Sequence, residues 1–220
     1  MCGIVCYIGN RDCSDIILDG LSKLEYRGYD SAGVAIHDGG DIRVTRQEGK
    51  LSRLAAKLAQ EPSPGTTGIG HTRWATHGRP SENNAHPHRA GDVVVVHNGI
   101  FENHLQLRKE LEDGGTVFSS ETDTEILAHL VKREYDRAPD LKEAVRRSLQ
   151  RVEGSYAVAV MHRAVPGQIV LAKNASPLVI GKGNGEMFAA SDIPAILRHC
   201  RDMVFMEDGE LALLSHSDAT

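Results

Sequence analysis

The order of hydropathy patterns along these 220 residues predicts an α+β protein with two mostly antiparallel sheets and helices packed on their faces. Three observations carry that expectation. Strand-like runs gather at both ends of the chain, helix-period apolar residues fill its middle third, and no repeat, low-complexity tract or linker-like stretch divides it. Residues 1–220 are therefore read as one domain, of a length that can bury roughly 70% of its unfolded surface.

The elements follow in chain order. Residues 2–8 (CGIVCYI) are nearly continuous in apolar character, the pattern of a buried strand. Over 15–25, Ile16, Ile17, Leu18, Leu21 and Leu24 share a helix face, with Ser14 or Asp15 as the cap. A hairpin is expected over 32–37 and 42–48, around Asp38-Gly39-Gly40-Asp41. A helix near 51–60 stops at Pro62-Ser63-Pro64-Gly65. Strands at 66–71 and 93–97 flank a polar loop over 77–91, and a loop of that length in a compact domain is usually functional. Helices are expected at about 103–113, 122–136 and 140–151, with Thr122 and Glu125 spaced as a capping box. The last third returns to strands at about 155–162, 168–173, 178–181, 187–190, 203–206 and 210–214, with a short helix after Asp192. Glycines 181, 183 and 185 lack the Lys-Ser/Thr of a phosphate loop and read as a hairpin turn.

Composition removes several function classes. A net charge of −5, from 25 basic and 30 acidic residues with no basic stripe, leaves no footprint for nucleic acid. No stretch approaches the roughly 20 apolar residues of a membrane span, and the amino end does not read as a secretory signal. Without such a signal, Asn174-Ala175-Ser176 is a chance match to a glycosylation acceptor. Cys2, Cys6, Cys13 and Cys200 do not describe a disulfide scaffold. On one strand Cys2 and Cys6 would lie ~13 Å apart, beyond the reach of a disulfide. A cytoplasmic protein with reduced thiols is the expectation.

Candidate chemistry begins at Met1-Cys2-Gly3. A small second residue permits removal of the initiator methionine, which leaves Cys2 with a free α-amino group. That group titrates near 7.7–8.0 and can serve as the thiol's own base at neutral pH. By position alone Cys2 is a buried strand residue that happens to come second. Downstream lie Leu24-Glu25-Tyr26-Arg27-Gly28-Tyr29-Asp30-Ser31-Ala32-Gly33, Gly70-His71-Thr72-Arg73-Trp74-Ala75-Thr76-His77-Gly78, Val96-His97-Asn98-Gly99-Ile100 and Ser120-Glu121-Thr122-Asp123-Thr124-Glu125.

With Cys2-Gly3-Ile4-Val5, these segments resemble the glutaminase domain of the glucosamine-6-phosphate synthases, class II glutamine amidotransferases within the N-terminal-nucleophile hydrolases. The likeness extends to Ala189-Ala190-Ser191-Asp192 and Met206-Glu207-Asp208-Gly209. The resemblance implies a four-layer αββα sandwich and hydrolysis of L-glutamine to L-glutamate and ammonia, with no cofactor. By resemblance, Cys2 is the nucleophile, and the Asn98 amide and Gly99 N–H stabilise the oxyanion. Read alone, Asn98-Gly99 is a type I′ hairpin turn. Arg73 would bind the α-carboxylate, which suits a two-pronged guanidinium; its local alternative is a surface ion pair. Asp123 would bind the α-ammonium, or serve as a first-turn acid favoured by the helix dipole. Thr76, His77 and Gly78 would line the pocket with Trp74 as its lid. Arg27 would brace the amino terminus, or pair with Asp30.

Six histidines fall between 71 and 104 (His71, His77, His86, His88, His97 and His104), yet no metal-ligand spacing or closed ligand set accompanies them. They are read as holding no metal, which disfavours a zinc hydrolase. Two departures from the family stand out. Cys6 occupies a position usually held by glycine, on the face of Cys2, as a crowding side chain or a second oxidisable thiol. The chain also ends at Thr220 without the family's sugar-isomerase domains. Hydrolysis is therefore expected of these residues, with the ammonia passing to a sugar-isomerase domain or a separate partner protein. The alternatives are a free-standing ammonia donor and a glutamine-binding module without turnover.

Overall fold

A computed structural model describes residues 2–74 and 78–220. Its strands are β1 (Gly3–Ile8), β2 (Ser31–His37), β3 (Ile42–Glu48), β4 (Thr67–Arg73), β5 (His88–Ala90), β6 (Val93–Phe101), β7 (Gly154–His162), β8 (Ile169–Asn174), β9 (Val179–Lys182), β10 (Met187–Ala190), β11 (Asp202–Phe205) and β12 (Leu211–Leu214). Its helices are α1 (Cys13–Ser22), α2 (Leu51–Gln60), α3 (His104–Asp113), α4 (Asp123–Arg137) and α5 (Leu141–Leu149). The strands form a seven-stranded sheet, ordered β11-β9-β10-β1-β4-β2-β3, and a five-stranded sheet, ordered β12-β8-β7-β6-β5. Every strand pairing within them is antiparallel.

Four layers follow from which face of each strand is apolar. In β1, Val5 and Tyr7 pack with Ile16, Ile17 and Leu21 of α1 and Leu54 of α2. The alternate residues Ile4, Cys6 and Ile8 join Ile69 of β4 and Val94 and Val96 of β6 between the sheets. Val93, Val95 and Phe101 of β6 face Leu127 and Val131 of α4 and Val145 of α5, and α3 packs Leu107 and Leu111 against Ile126 and Leu130 of α4. Since side chains alternate along a strand, β1 and β6 are each apolar on both faces and buried between two layers. The order is α, β, β, α, as the resemblance implied.

Several local expectations are corrected. Helix α1 is capped by Asp12, whose Oδ1 accepts the Ser14 N–H at 2.9 Å, not by Ser14 or Asp15. The polar stretch 77–91 contains the short strand β5, which pairs with β6. Thr122 stands at the α4 N-cap without a side-chain cap bond. Glu125 instead accepts the N–H and hydroxyl of Ser119 (2.8 Å each) and of Ser120 (2.7 and 2.6 Å). Burial opposes charge on Glu125, but His129 and these donors hold its carboxyl well below the usual range. The β2–β3 hairpin and the turn between β9 and β10 form where expected. No helix among the described residues is long and apolar enough to cross a membrane. Cys2, Cys6, Cys13 and Cys200 are all free thiols.

Candidate active site

The inter-sheet layer changes character at one end. Continuing the alternation of β4 past Ile69 brings His71 and Arg73 to the inner face. The alternation of β6 past Val94 and Val96 brings Asn98, and that of β1 before Ile4 brings Cys2. Three strands thus run from apolar core into a buried polar cluster at which the first residues of the chain arrive. A narrow cleft there is lined by Cys2, Arg73, Trp74, His86, His97, Gly99, Thr122, Asp123 and Thr124.

Cys2 is held by its backbone and its sulfur. Its carbonyl accepts Arg27 Nε at 3.0 Å and Asn98 Nδ2 at 3.2 Å, and its Sγ accepts the Trp74 N–H at 3.2 Å. Burial pushes the Cys2 thiol up, opposed by the Trp74 N–H and the positive charge of Arg73. The sulfur is therefore protonated at neutral pH and needs a base. Arg27 also pairs with Asp192 through Nη1 at 3.4 Å. Gly28 permits this approach of chains, since a Cβ there would lie 2.7 Å from the Arg73 carbonyl carbon. Trp74 is half exposed, its ring edge-on to Tyr29 at 5.9 Å.

Asn98 and Gly99 form no turn: both lie within the nine residues of β6, where Gly99 pairs with Tyr156 of β7. Gly99 has φ +136°, and a Cβ there would meet the Ser155 carbonyl oxygen at 2.0 Å, so only glycine fits. Asn98 Nδ2 also donates to Ser191 Oγ at 3.2 Å, and its Oδ1 accepts from His71 Nε2 at 3.0 Å.

Arg73 is 3% exposed, which excludes a surface ion pair, and its Nη2 donates to the Gly78 carbonyl at 3.0 Å. Asp123, the first residue of α4, accepts the Phe101 N–H at 3.0 Å and lies 3.8 Å from His97 Nδ1. Both candidate partners for an amino acid's charged ends thus line one cavity with the thiol. Of the remaining candidates, Gly78 closes on Arg73, while Thr76 and His77 lie outside the described residues.

Sequence reasoning gave no role to Ser191, Asp192, Thr124 or the neighbouring histidines. His71 stacks on His86 at 4.1 Å, Thr124 Oγ1 bonds both His86 Nε2 (3.2 Å) and His97 Nδ1 (3.1 Å), and His88 Nε2 meets Thr122 Oγ1 at 3.0 Å. Burial drives His71 down to about 3 and His86 well below its ordinary value; burial and the charge of Arg46 take His88 to about 3. These imidazoles are neutral structural groups at physiological pH. No cluster of three or more His, Cys, Asp or Glu among the described residues is arranged to hold a metal ion. Strand alternation from Ile69 was the available signal for His71; Ser191 was marked only as part of the Ala189–Asp192 segment of the resemblance.

Residues 71–198 match the glutamine amidotransferase domain family. The glutamine–fructose-6-phosphate aminotransferase (isomerizing) of Symbiobacterium thermophilum is 54% identical over 222 residues, covering 100% of this chain and 36% of that protein. The enzyme of the same name from Thermus thermophilus is 51% identical over 217 residues, 98% of this chain and 35% of that protein. The chain thus spans about a third of the length of the curated relatives it matches. Among solved structures, the glutamine phosphoribosylpyrophosphate amidotransferase of B. subtilis, complexed with ADP and GMP, superposes with a TM-score of 0.87 at 27% identity, covering 99% of this chain and 48% of that one.

Proposed function

This chain belongs to the class II glutamine amidotransferase family, and from that premise we propose that Cys2 is the nucleophile with which it hydrolyses L-glutamine to L-glutamate and ammonia. The convergence of Cys2, Arg73, Asp123 and Gly99 on one cleft, with Asn98 bonded to the Cys2 carbonyl, carries the reading. Glutamine enters with its α-carboxylate on Arg73 and its α-ammonium on Asp123, which directs the side-chain amide toward Sγ. Once Met1 is removed, the α-amino group of Cys2 takes the thiol proton as sulfur attacks the amide carbon. The oxyanion is stabilised by the Gly99 N–H and by the Asn98 Nδ2–H that the Cys2 carbonyl releases to it. The C–N bond then breaks, ammonia leaves with the returned proton, and water hydrolyses the thioester to glutamate. Trp74 and Gly78 border the substrate, and Arg27 fixes the Cys2 carbonyl.

Residues 1–220 serve as one glutaminase domain, a reading supported by the core shared between the two sheets. The ammonia goes to a sugar-phosphate acceptor, converting fructose-6-phosphate to glucosamine-6-phosphate on a sugar-isomerase domain or partner; the names and identities of the relatives support this. A cytoplasmic location agrees with four free thiols.

The test is glutamate release by the purified chain, with an intact-mass spectrum of the same sample. Release by protein lacking Met1, lost in Cys2→Ala while glutamine binding persists in calorimetry, is the expected result. Full hydrolysis by Cys2→Ala, or an inert wild type whose Met1 is gone, overturns it.

A further inference from the structure

An asparagine amide can stabilise an oxyanion only if its nitrogen, not its oxygen, faces the reacting carbon. Nothing in the shape of the amide distinguishes the two orientations; its neighbours must. At Asn98 two backbone carbonyls decide it independently. On one side the Cys2 carbonyl, which can only accept, lies 3.2 Å from Nδ2 and demands a donor. On the other, His71 Nε2 lies 3.1 Å from the His97 carbonyl, also acceptor-only, so Nε2 must carry the ring proton. That same N–H points at Asn98 at 3.0 Å, where it demands an oxygen. His71 Nδ1 has no hydrogen-bond partner among the described residues, the cheaper nitrogen to leave bare in this tautomer. The ring is fully buried and stacked on His86, and therefore cannot rotate away without opening the core.

We propose that His71 is a positioning residue for glutamine hydrolysis, an N–H clamp that locks the Asn98 amide with its nitrogen toward Cys2. The proposal rests on the hydrolytic reading above. His71 acts through Asn98 alone and touches neither substrate nor thiol. Ser191 completes the clamp: its Oγ accepts from Asn98 Nδ2 at 3.2 Å and from the Ile4 N–H at 2.5 Å, tying the amide to the strand that carries the nucleophile.

The test compares His71→Leu, His71→Gln, Asn98→Ala and the double variant His71→Leu/Asn98→Ala in the 220-residue chain, with rates per folded, Met1-free molecule. A displaced oxyanion donor acts on the transition state, so His71→Leu lowers kcat about 10- to 100-fold with KM unchanged. His71→Gln, whose amide nitrogen reaches the place of Nε2, recovers most of that loss. In the Asn98→Ala background His71→Leu costs nothing further. Should His71→Leu fail to fold, His71→Asn, too short to reach Oδ1, replaces it in every comparison. An unchanged kcat, equal losses in the short and Gln variants, or losses that add to Asn98→Ala overturn the clamp. An inert wild type instead overturns the hydrolytic reading beneath it.

Discussion

The two ends of the space between the sheets are built from the same strands by the same alternation, yet they are opposite materials. At one end Cys6, Ile8, Ile69 and Val94 close over one another with no polar atom to satisfy. At the other, His71, Arg73 and Asn98 are nearly as deeply enclosed beside the partly buried Cys2, and each is bonded to a specific partner. The apolar end is held by area, which tolerates exchange of one hydrocarbon for another of similar size. The polar end is held by pairing, where removing one partner strands the other. Stability and chemistry are thus separated along a single layer, and variants at the two ends should fail differently.

The largest expected effect is at the polar end. Asn98→Ala should lower kcat about 10²- to 10³-fold, the usual loss of one oxyanion donor, with KM for glutamine little changed; steady-state kinetics checks it. A rise in KM at constant kcat would instead make Asn98 a binding residue. At the apolar end Ile69→Ala should cost about 2–5 kcal/mol of stability by leaving a cavity. Urea unfolding should show it, while kcat per folded molecule holds. A comparable fall in kcat would mean that the two ends are mechanically one.

The third prediction concerns pH. His71 is neutral in the fold down to about pH 3, whereas an unfolded histidine takes its proton near 6.5. Between those values the unfolded chain holds more protons, so stability falls as pH falls through that window and is fully present above it. Each such histidine contributes up to about 1.4 kcal/mol per pH unit, and His71→Gln should flatten the urea-derived stability curve by one residue's share. An unaltered slope would mean that His71 is protonated in the fold. The smallest effect is at Cys6, where burial pushes the thiol up and keeps it inert. Cys6→Ala should cost about 1 kcal/mol and leave hydrolysis intact. Lost turnover there would move the boundary of the polar end inward.

The comparison also explains what could be read from the sequence. Apolar periodicity locates nearly every element, because those patterns record which faces are covered. Strand β5 escaped because three residues between a proline and a glycine are too few for a period to show. The capping box at Thr122 failed because Glu125 found better donors in Ser119 and Ser120, a competition that spacing cannot reveal. Asn98-Gly99 has the composition of a tight turn, but Gly99 serves a close passage against Ser155 inside a strand. The candidate site residues were visible only as a set of motifs. Ser191 reaches Ile4 across 187 residues and Asp192 reaches Arg27 across 165, beyond any local rule.

That separation has a consequence for how the protein is made. Strand β1 lies between β4 and β10, so its first neighbour follows within some seventy residues, but its second is the tenth strand of twelve. At 5–20 residues per second, a ribosome needs roughly 10–40 s to supply it. Through that interval Ile4 lacks its Ser191 contact and Arg27 lacks Asp192. Until β10 arrives, the sheet is open on that side and the polar end of the inter-sheet layer lacks Ser191.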